Sequence, residues 1–445
     1  MKTVLWFAFS LCSALALGSC ATNATPAPQL PGGSGQAALR ASARAGVSRA
    51  SSTPIQHVVF IIQENRSFDN LFQGYPGANT AAAGKDSKGR TIRLEPIPLE
   101  APYDISHGFA DFLNATDGGK MDGFDLELTE GNASEYRHPQ YGFVPKRESR
   151  LYFAMAREYV LADNAFASHL DASYVAHQYA IAAQADAAVD LPPYFGCNHQ
   201  KTNVIGTLTA QRTLGPTEAT CRNYPTLGDE LDAAGLPWRY YSFSKNDWLW
   251  AGYPSVDHIR YGPDWKTDLI GPETQVLKDI ADGTLASVAW VTPSIPNSDH
   301  SSSGSNTGPE WVASVVNAIG TSQYWDSTAI FVIWDEWGGW YDHVPPPYED
   351  YDGLGIRVPL LVISPYAKRG YVSHVQYEMS SVLRFAEDTF GLGQLAASDA
   401  RANDPAVDCF DFTQKPRAFH AFKTSLRMAD FARMDAAFPG RPDSE

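Results

Sequence analysis

Five short stretches of the chain are almost continuously apolar and rich in β-branched or aromatic residues. They are HVVFII (57–62), WRYYSF (238–243), ASVAWV (286–291), TAIFVIW (328–334) and VPLLVI (358–363). A strand with one wet face alternates polar and apolar residues, whereas these runs do not, so they predict strands covered on both faces, as in a parallel sheet. Between them, apolar residues recur at helical spacing in RLYFAMAREYVL (150–161), SYVAHQYAIAAQA (173–185), TLGDELDAAGL (226–236), PEWVASVVNAIG (309–320) and MSSVLRFAEDTFG (379–391). Thr226 with Asp229 forms the pattern of a capping box and Gly235 that of a helix stop. Pro309 and Gly320 bracket the next helix in the same way. The alternation predicts an α/β fold: a mostly parallel central sheet flanked by helices, with long loop insertions. No internal repeat or change of composition divides residues 55–445, so one domain is expected there.

The amino terminus has a different pattern. Lys2, an apolar run from Val4 to Leu17 and small residues after it make residues 1–19 a secretory signal. Cys20 follows at the position where bacterial lipoproteins are lipidated; the competing reading is ordinary cleavage with an incidental cysteine. Residues 20–54, rich in Ala, Pro, Ser and Gly, form a flexible tether. No later segment is a candidate membrane span. The expected location is outside the cytoplasm, as a periplasmic or outer-membrane lipoprotein or a secreted protein, with membrane association only through a lipid anchor.

Composition narrows the partners. The 445 residues are 44% hydrophobic, enough for a large core, and the formal net charge is −16. Such an acidic chain has no basic excess to neutralise phosphates, which excludes nonspecific nucleic-acid binding. Export implies an oxidising compartment. Cys197 and Cys221 bracket a polar, Gly/Thr-rich loop and are expected to form a disulfide, leaving Cys409 as an inert thiol.

The candidate chemistry lies where the apolar runs stop. HVVFIIQ runs into Glu64-Asn65, TAIFVIW into Asp335-Glu336, the run ending at Val291 leads toward Asp299-His300, and PLLVI ends at Ser364. Carboxyl ends of strands are the ligand-binding edge of open α/β sheets. Glu64, Asn65, Asp335 and Glu336 would meet above neighbouring strands, where three carboxylates repel unless protons or a cation intervene. A divalent metal with oxygen ligands resolves this, and calcium, magnesium, manganese, iron and zinc all remain compatible. Solvated or salt-bridged strand ends, such as Glu64 with Arg66, are the plainer alternative. Ser173 opens a predicted helix, where an alkoxide or phosphate is stabilised, although a serine there most often only caps the helix. His177 lies one turn on, as a core or supporting histidine. His107 (YDISHGF) and His300 (NSDHSSSG) sit in polar loops beside acids, where histidine can bind phosphate or protonate a leaving group. His343 is a secondary candidate for positioning the Asp335-Glu336 loop, whose Gly338 and Gly339 allow a tight turn. No Walker, GxGxxG, HExxH or GxSxG motif is present.

ENRSFDNLF (64–72), GGKMDGF (118–124), ADNAFAS (162–168), WDEWGGWYDHV (334–344) and VPLLVISPYAKRG (358–370) together resemble the bacterial phosphoesterase family of nonspecific phospholipases C and acid phosphatases, across residues 55–395. The resemblance implies an alkaline-phosphatase-like fold for one phosphoesterase catalytic domain at 55–445. It implies one divalent metal held by Glu64, Asn65, Asp335 and Glu336, with Ser173 as fifth ligand and nucleophile. His107 and His300 would lie near the scissile phosphate. The implied reaction is attack of Ser173 on phosphorus, a phosphoserine intermediate, and its hydrolysis by water. The phospholipase branch places a threonine followed by Pro-Asn at the nucleophile, whereas here Ser173 leads to His177-Gln178, which is similar to the acid phosphatase branch. The long carboxy-terminal extension of the larger phospholipases is also missing. A broad phosphomonoesterase is therefore expected, with a phospholipase C acting on phosphatidylcholine-type lipids as the alternative and a noncatalytic surface-binding lipoprotein third. The aromatic segment NDWLWAGYPSVD (246–257) either packs or contacts lipid. Asp171 departs from the small residues usual before the nucleophile and is expected to lower phosphate affinity by its charge.

Overall fold

The computed structural model describes residues 53–198, 202–244 and 249–438. The signal, Cys20 and the tether up to residue 52 lie outside them, as do residues 246–248 of the aromatic segment. The central sheet is built from β1 (His57–Gln63), β2 (Val160–Phe166), β3 (Trp238–Tyr241), β4 (Leu269–Ile270), β5 (Val288–Val291), β6 (Thr328–Trp334), β7 (Arg357–Ile363), β8 (Tyr371–Ser373) and β9 (Tyr377–Glu378). Their order is β4-β3-β5-β1-β6-β7-β2-β8, with β9 also pairing with β2. Every pairing is parallel except those of β7, which runs antiparallel to both β6 and β2.

The direction of β7 corrects one expectation from the sequence. A parallel return needs a crossover, usually helical, and no helix lies between β6 and β7. The chain instead loops at one sheet edge and comes straight back. Ser364, at the end of β7, is therefore at the opposite edge from the acid pairs, where its hydroxyl donates to the Thr328 carbonyl at the start of β6. A second correction concerns the predicted helix 150–161. The helix stops at Glu158, Tyr159 is extended, and β2 begins at Val160. Asp163-Asn164 interrupts the apolar run there, which hides the strand from periodicity.

The flanking helices include α1 (Phe68–Phe72), α2 (Phe109–Thr116), α3 (Arg150–Glu158), α4 (Ser173–Ala182), α5 (Leu227–Ala234), α6 (Gly308–Gly320) and α7 (Met379–Phe390). The Thr226 hydroxyl accepts from Asp229 N–H while the Asp229 carboxylate accepts from Thr226 N–H, and Gly235 closes α5 in the left-handed region. Helix α4 is shorter than its apolar pattern, ending at a left-handed Ala183. β1 and β6 form the centre of the core. Every residue from Val58 to Gln63 and from Thr328 to Trp334 is buried, and Phe60 packs edge-on against Trp290 with ring centroids 5.3 Å apart. Burying each such side chain contributes about 1.5–3 kcal/mol, so the strands that carry the acid pairs are a rigid platform. Cys197 and Cys221 are joined by a disulfide, and the buried Cys409 thiol is pushed up to about 12 by burial. Among the described residues, no helix is long and apolar enough to cross a membrane.

Candidate active site

β1 and β6 pair in unbroken register from His57 with Thr328 to Gln63 with Trp334. Their next residues, Glu64-Asn65 and Asp335-Glu336, therefore leave the same edge side by side, and Asp335 N–H donates to the Gln63 carbonyl at 3.0 Å. Gly338 turns the chain straight after the second pair. Its φ is +61°, and a Cβ there would come within 2.6 Å of the Asn65 carbonyl oxygen, so only glycine fits. The turn presents Gly338 N–H to Glu336 Oε2 at 2.6 Å, which fixes that carboxylate.

Ser173 joins this group from across the fold. Ala172, not Ser173, occupies the cap position of α4, and the serine hydroxyl makes no capping bond. It accepts from Asn65 Nδ2 at 3.1 Å and lies 3.5 Å from Glu336 Oε1. The capping reading of Ser173 is thereby removed by the backbone of the preceding turn. His177 lies one turn further along α4 and is fully buried. Its Nε2 sits 2.8 Å from Glu64 Oε1, and one atom each of Glu64, His177 and Asp335 lie within 4.8 Å of one another. Burial pushes the His177 imidazole down to about 4, so it is neutral near pH 7. A histidine on a buried helix face is ordinarily core; the only available signal was its spacing of four from Ser173.

His107 and His300 are oriented alike. Each Nδ1 is held by a backbone carbonyl, of Ile105 and Ser301 respectively, so each Nδ1 carries its proton and Nε2 is the nitrogen left for chemistry; that of His300 lies 3.9 Å from Asp104 Oδ2. His107 Nε2 is 3.2 Å from Asn65 Nδ2 and 3.4 Å from Glu336 Oε1. The two imidazole rings are 6.3 Å apart. A cavity of about 760 Å³ opens over both histidines and over Ala172, with Asp104, Asp111, Glu130 and Asp190 on its walls. The Trp250 ring lies tilted against His300 with centroids 5.6 Å apart and is buried, as is Tyr253, so these aromatics of the 246–257 segment pack.

His343 does not join the group. It pairs with Asp69 and Asn79, next to Asp342 and Arg357. Ser67 caps α1 and donates to the Tyr341 carbonyl. Buried Arg66 donates to the carbonyls of Asp299 and Leu99, holding the loop that leads into His300; it is not a salt-bridge partner of Glu64.

The acids set the demand for a cation. Both Asp335 oxygens and Asn65 Oδ1 are buried without a well-aligned donor. Burial, reinforced by the Glu64 charge, pushes Asp335 well above the carboxylate range. Burial pushes Glu336 up to about 8 against the opposing pull of His107. Unsatisfied buried oxygens on adjacent acids are costly, and a divalent cation satisfies them directly. Three carboxylates, an amide and a hydroxyl, with a neutral imidazole alongside, fit such an ion.

The Phosphoesterase family model matches residues 55–393. The hemolytic phospholipase C of Pseudomonas aeruginosa is 26% identical over 400 residues, covering 76% of this chain and 53% of that protein. Phospholipase C B of Mycobacterium tuberculosis is 23% identical over 448 residues, covering 84% of this chain and 80% of its own length. The chain thus spans about half of the first relative and most of the second. Among solved structures, a Vibrio parahaemolyticus protein of the alkaline phosphatase superfamily aligns over 79% of this chain and 72% of its own, with 9% identity and a TM-score of 0.38.

Proposed function

This chain belongs to the Phosphoesterase family, and from that premise we propose that it hydrolyses phosphate esters outside the cytoplasm, through a covalent intermediate on Ser173. The observation that carries the reading is the placement of the Ser173 hydroxyl. It stands free of capping duty at a helix N-terminus, against Asn65 and Glu336, both of which His107 Nε2 also approaches.

In this reading Glu64, Asn65, Asp335 and Glu336 would hold the cation, with Ser173 Oγ beside them and His177 steadying Glu64. A bound divalent cation would lower the charge on the serine oxygen and on the phosphoryl oxygens. Glu336 Oε1 is placed to take the Ser173 proton. The serine oxygen then bonds to phosphorus in line with the departing ester oxygen, whose bond breaks. The α4 N-terminus favours the charge on the transferring group. Protonated His107 or His300 gives its Nε2 proton to the leaving alkoxide. In the second in-line step a water oxygen bonds to phosphorus and gives a proton to the now neutral histidine, while the bond from phosphorus to Ser173 Oγ breaks and Glu336 returns the proton to that oxygen.

Broad phosphomonoesterase activity is the first reading, supported by Ser173 standing where the phospholipase branch has threonine and by His177-Gln178 following it. The second is a phospholipase C, favoured by the names of the relatives. A panel of p-nitrophenyl phosphate, small alkyl phosphates and dispersed phosphatidylcholine separates them. The expected result is a kcat/KM at least about tenfold higher on the monoesters, a difference of about 1.4 kcal/mol in transition-state binding. Preference for phosphatidylcholine reverses the order, and no turnover of any of them or of small phosphodiesters, with metal present, favours the noncatalytic binding protein.

A further inference from the structure

Asp171 and Asp190 have no part in the steps above, and they explain how two of its groups keep their distance. The loop that carries His107 passes into α2 at Gly108, which has no side chain with which to cap the helix. Its first N–H groups find acceptors elsewhere: Asp111 Oδ2, from the first turn of α2, accepts Gly108 N–H at 3.1 Å, and Asp190 Oδ1, from another part of the chain, accepts Phe109 N–H at 3.1 Å. Gly108 leaves room for this contact, since a Cβ there would lie 2.9 Å from Asp190 Oδ1 and push that carboxylate aside. Asp190 is itself fastened, its N–H donating to Asp171 Oδ2 at 2.8 Å, while Asp171 Oδ1 accepts Ala172 N–H at 2.6 Å. Asp190 sits in the left-handed region at φ +61°, a conformation that aspartate and asparagine tolerate better than most residues. An unbroken path of side-chain-to-backbone bonds therefore runs from Ala172, beside Ser173, through Asp171 and Asp190 to the residues directly after His107.

We infer that Asp190 is a positioning residue, which with Asp171 sets the separation between the Ser173 hydroxyl and the His107 imidazole by capping α2 from the nucleophile side. The inference rests on the proposed roles of Ser173 and His107. Asp171 is thus a clamp whose two oxygens are both engaged by N–H groups, and its carboxylate points at backbone donors.

The test uses the full chain and p-nitrophenyl phosphate. Asp190→Gly removes the acceptor without straining the left-handed backbone, and Asp190→Asn removes the charge but keeps an oxygen for Phe109 N–H. Misplacing a catalytic group by about 1 Å can cost about 100-fold, so loosening one link is expected to lower kcat about tenfold in Asp190→Gly while KM stays within about twofold. Asp190→Asn is expected to keep kcat within about twofold of the parent. A parental kcat in Asp190→Gly overturns the inference, and so does equal impairment of both variants, which would assign the effect to lost charge. If Asp190→Gly does not fold, Asp171→Asn carries the test, since it can keep only one of the two bonds: a kcat loss at constant KM supports the inference and a parental kcat overturns it. Ser173→Ala measured alongside separates the two readings. A fully active Ser173→Ala removes the proposed function itself, whereas an inactive one beside a parental Asp190→Gly removes only the positioning role.

Discussion

Replacing Ser173 by alanine is expected to lower kcat/KM for p-nitrophenyl phosphate by at least about 1000-fold, about 4 kcal/mol of transition-state stabilisation, without unfolding the protein. The size follows from chemistry. With no oxygen at this position no covalent intermediate can form, and the remaining groups are arranged around an attacking atom that is gone. The small stability effect follows from structure. Ala172 holds the cap position of α4, so the loss is confined to the bond accepted from Asn65 and is expected to cost about 1 kcal/mol. Activity assays paired with thermal unfolding read both parts. An alanine variant with full activity would move the nucleophile elsewhere.

Asp335→Asn is expected to abolish retention of the cation and to lower activity by at least about 100-fold, because a neutral amide replaces the carboxylate nearest to Glu64 and His177. A second consequence has the opposite sign. In chelator-treated protein the buried Asp335 carboxylate is pushed well above its ordinary range, by burial first and by Glu64 next. Relieving that cost should make the variant at least as heat-stable as the parent without metal. With millimolar divalent cation the order should reverse, since only the parent gains stabilisation from an ion that binds the folded state. Metal analysis and melting curves with and without chelator test this independently of turnover. A variant that keeps its metal at the parental level would show that Asp335 is not a ligand.

Several parts of this architecture were legible in the chain itself. Runs such as HVVFIIQ and TAIFVIW lack polar alternation because both faces are covered, and each ends abruptly in acids because the next residue leaves the core at the sheet edge. That is why Glu64-Asn65 and Asp335-Glu336 could be placed together before any coordinates. The capping box of Thr226 and Asp229 was legible because capping is local chemistry. What could not be read depends on distant partners. The direction of β7 is set by whether the preceding loop crosses the sheet, and the strand's own residues are silent on it. β2 was masked by Asp163-Asn164, whose polarity is explained only by Asp163 accepting from Asn79 N–H and His374. His177 looks like any buried histidine until Glu64 arrives from β1. Asp171 reads in the sequence only as added charge near a phosphate, because its two donors, on Ala172 and Asp190, are backbone groups that no side-chain pattern reveals.

The central claim is a covalent phosphoserine at residue 173, and the most direct measurement is to trap it. Metal-loaded protein is mixed with a phosphomonoester, quenched in acid during turnover and digested for mass spectrometry. The expected result is one added phosphoryl group on the peptide carrying Ser173, absent without substrate and absent in Ser173→Ala. Phosphate on another residue, or no phosphorylated peptide under conditions where substrate is being consumed, would contradict it.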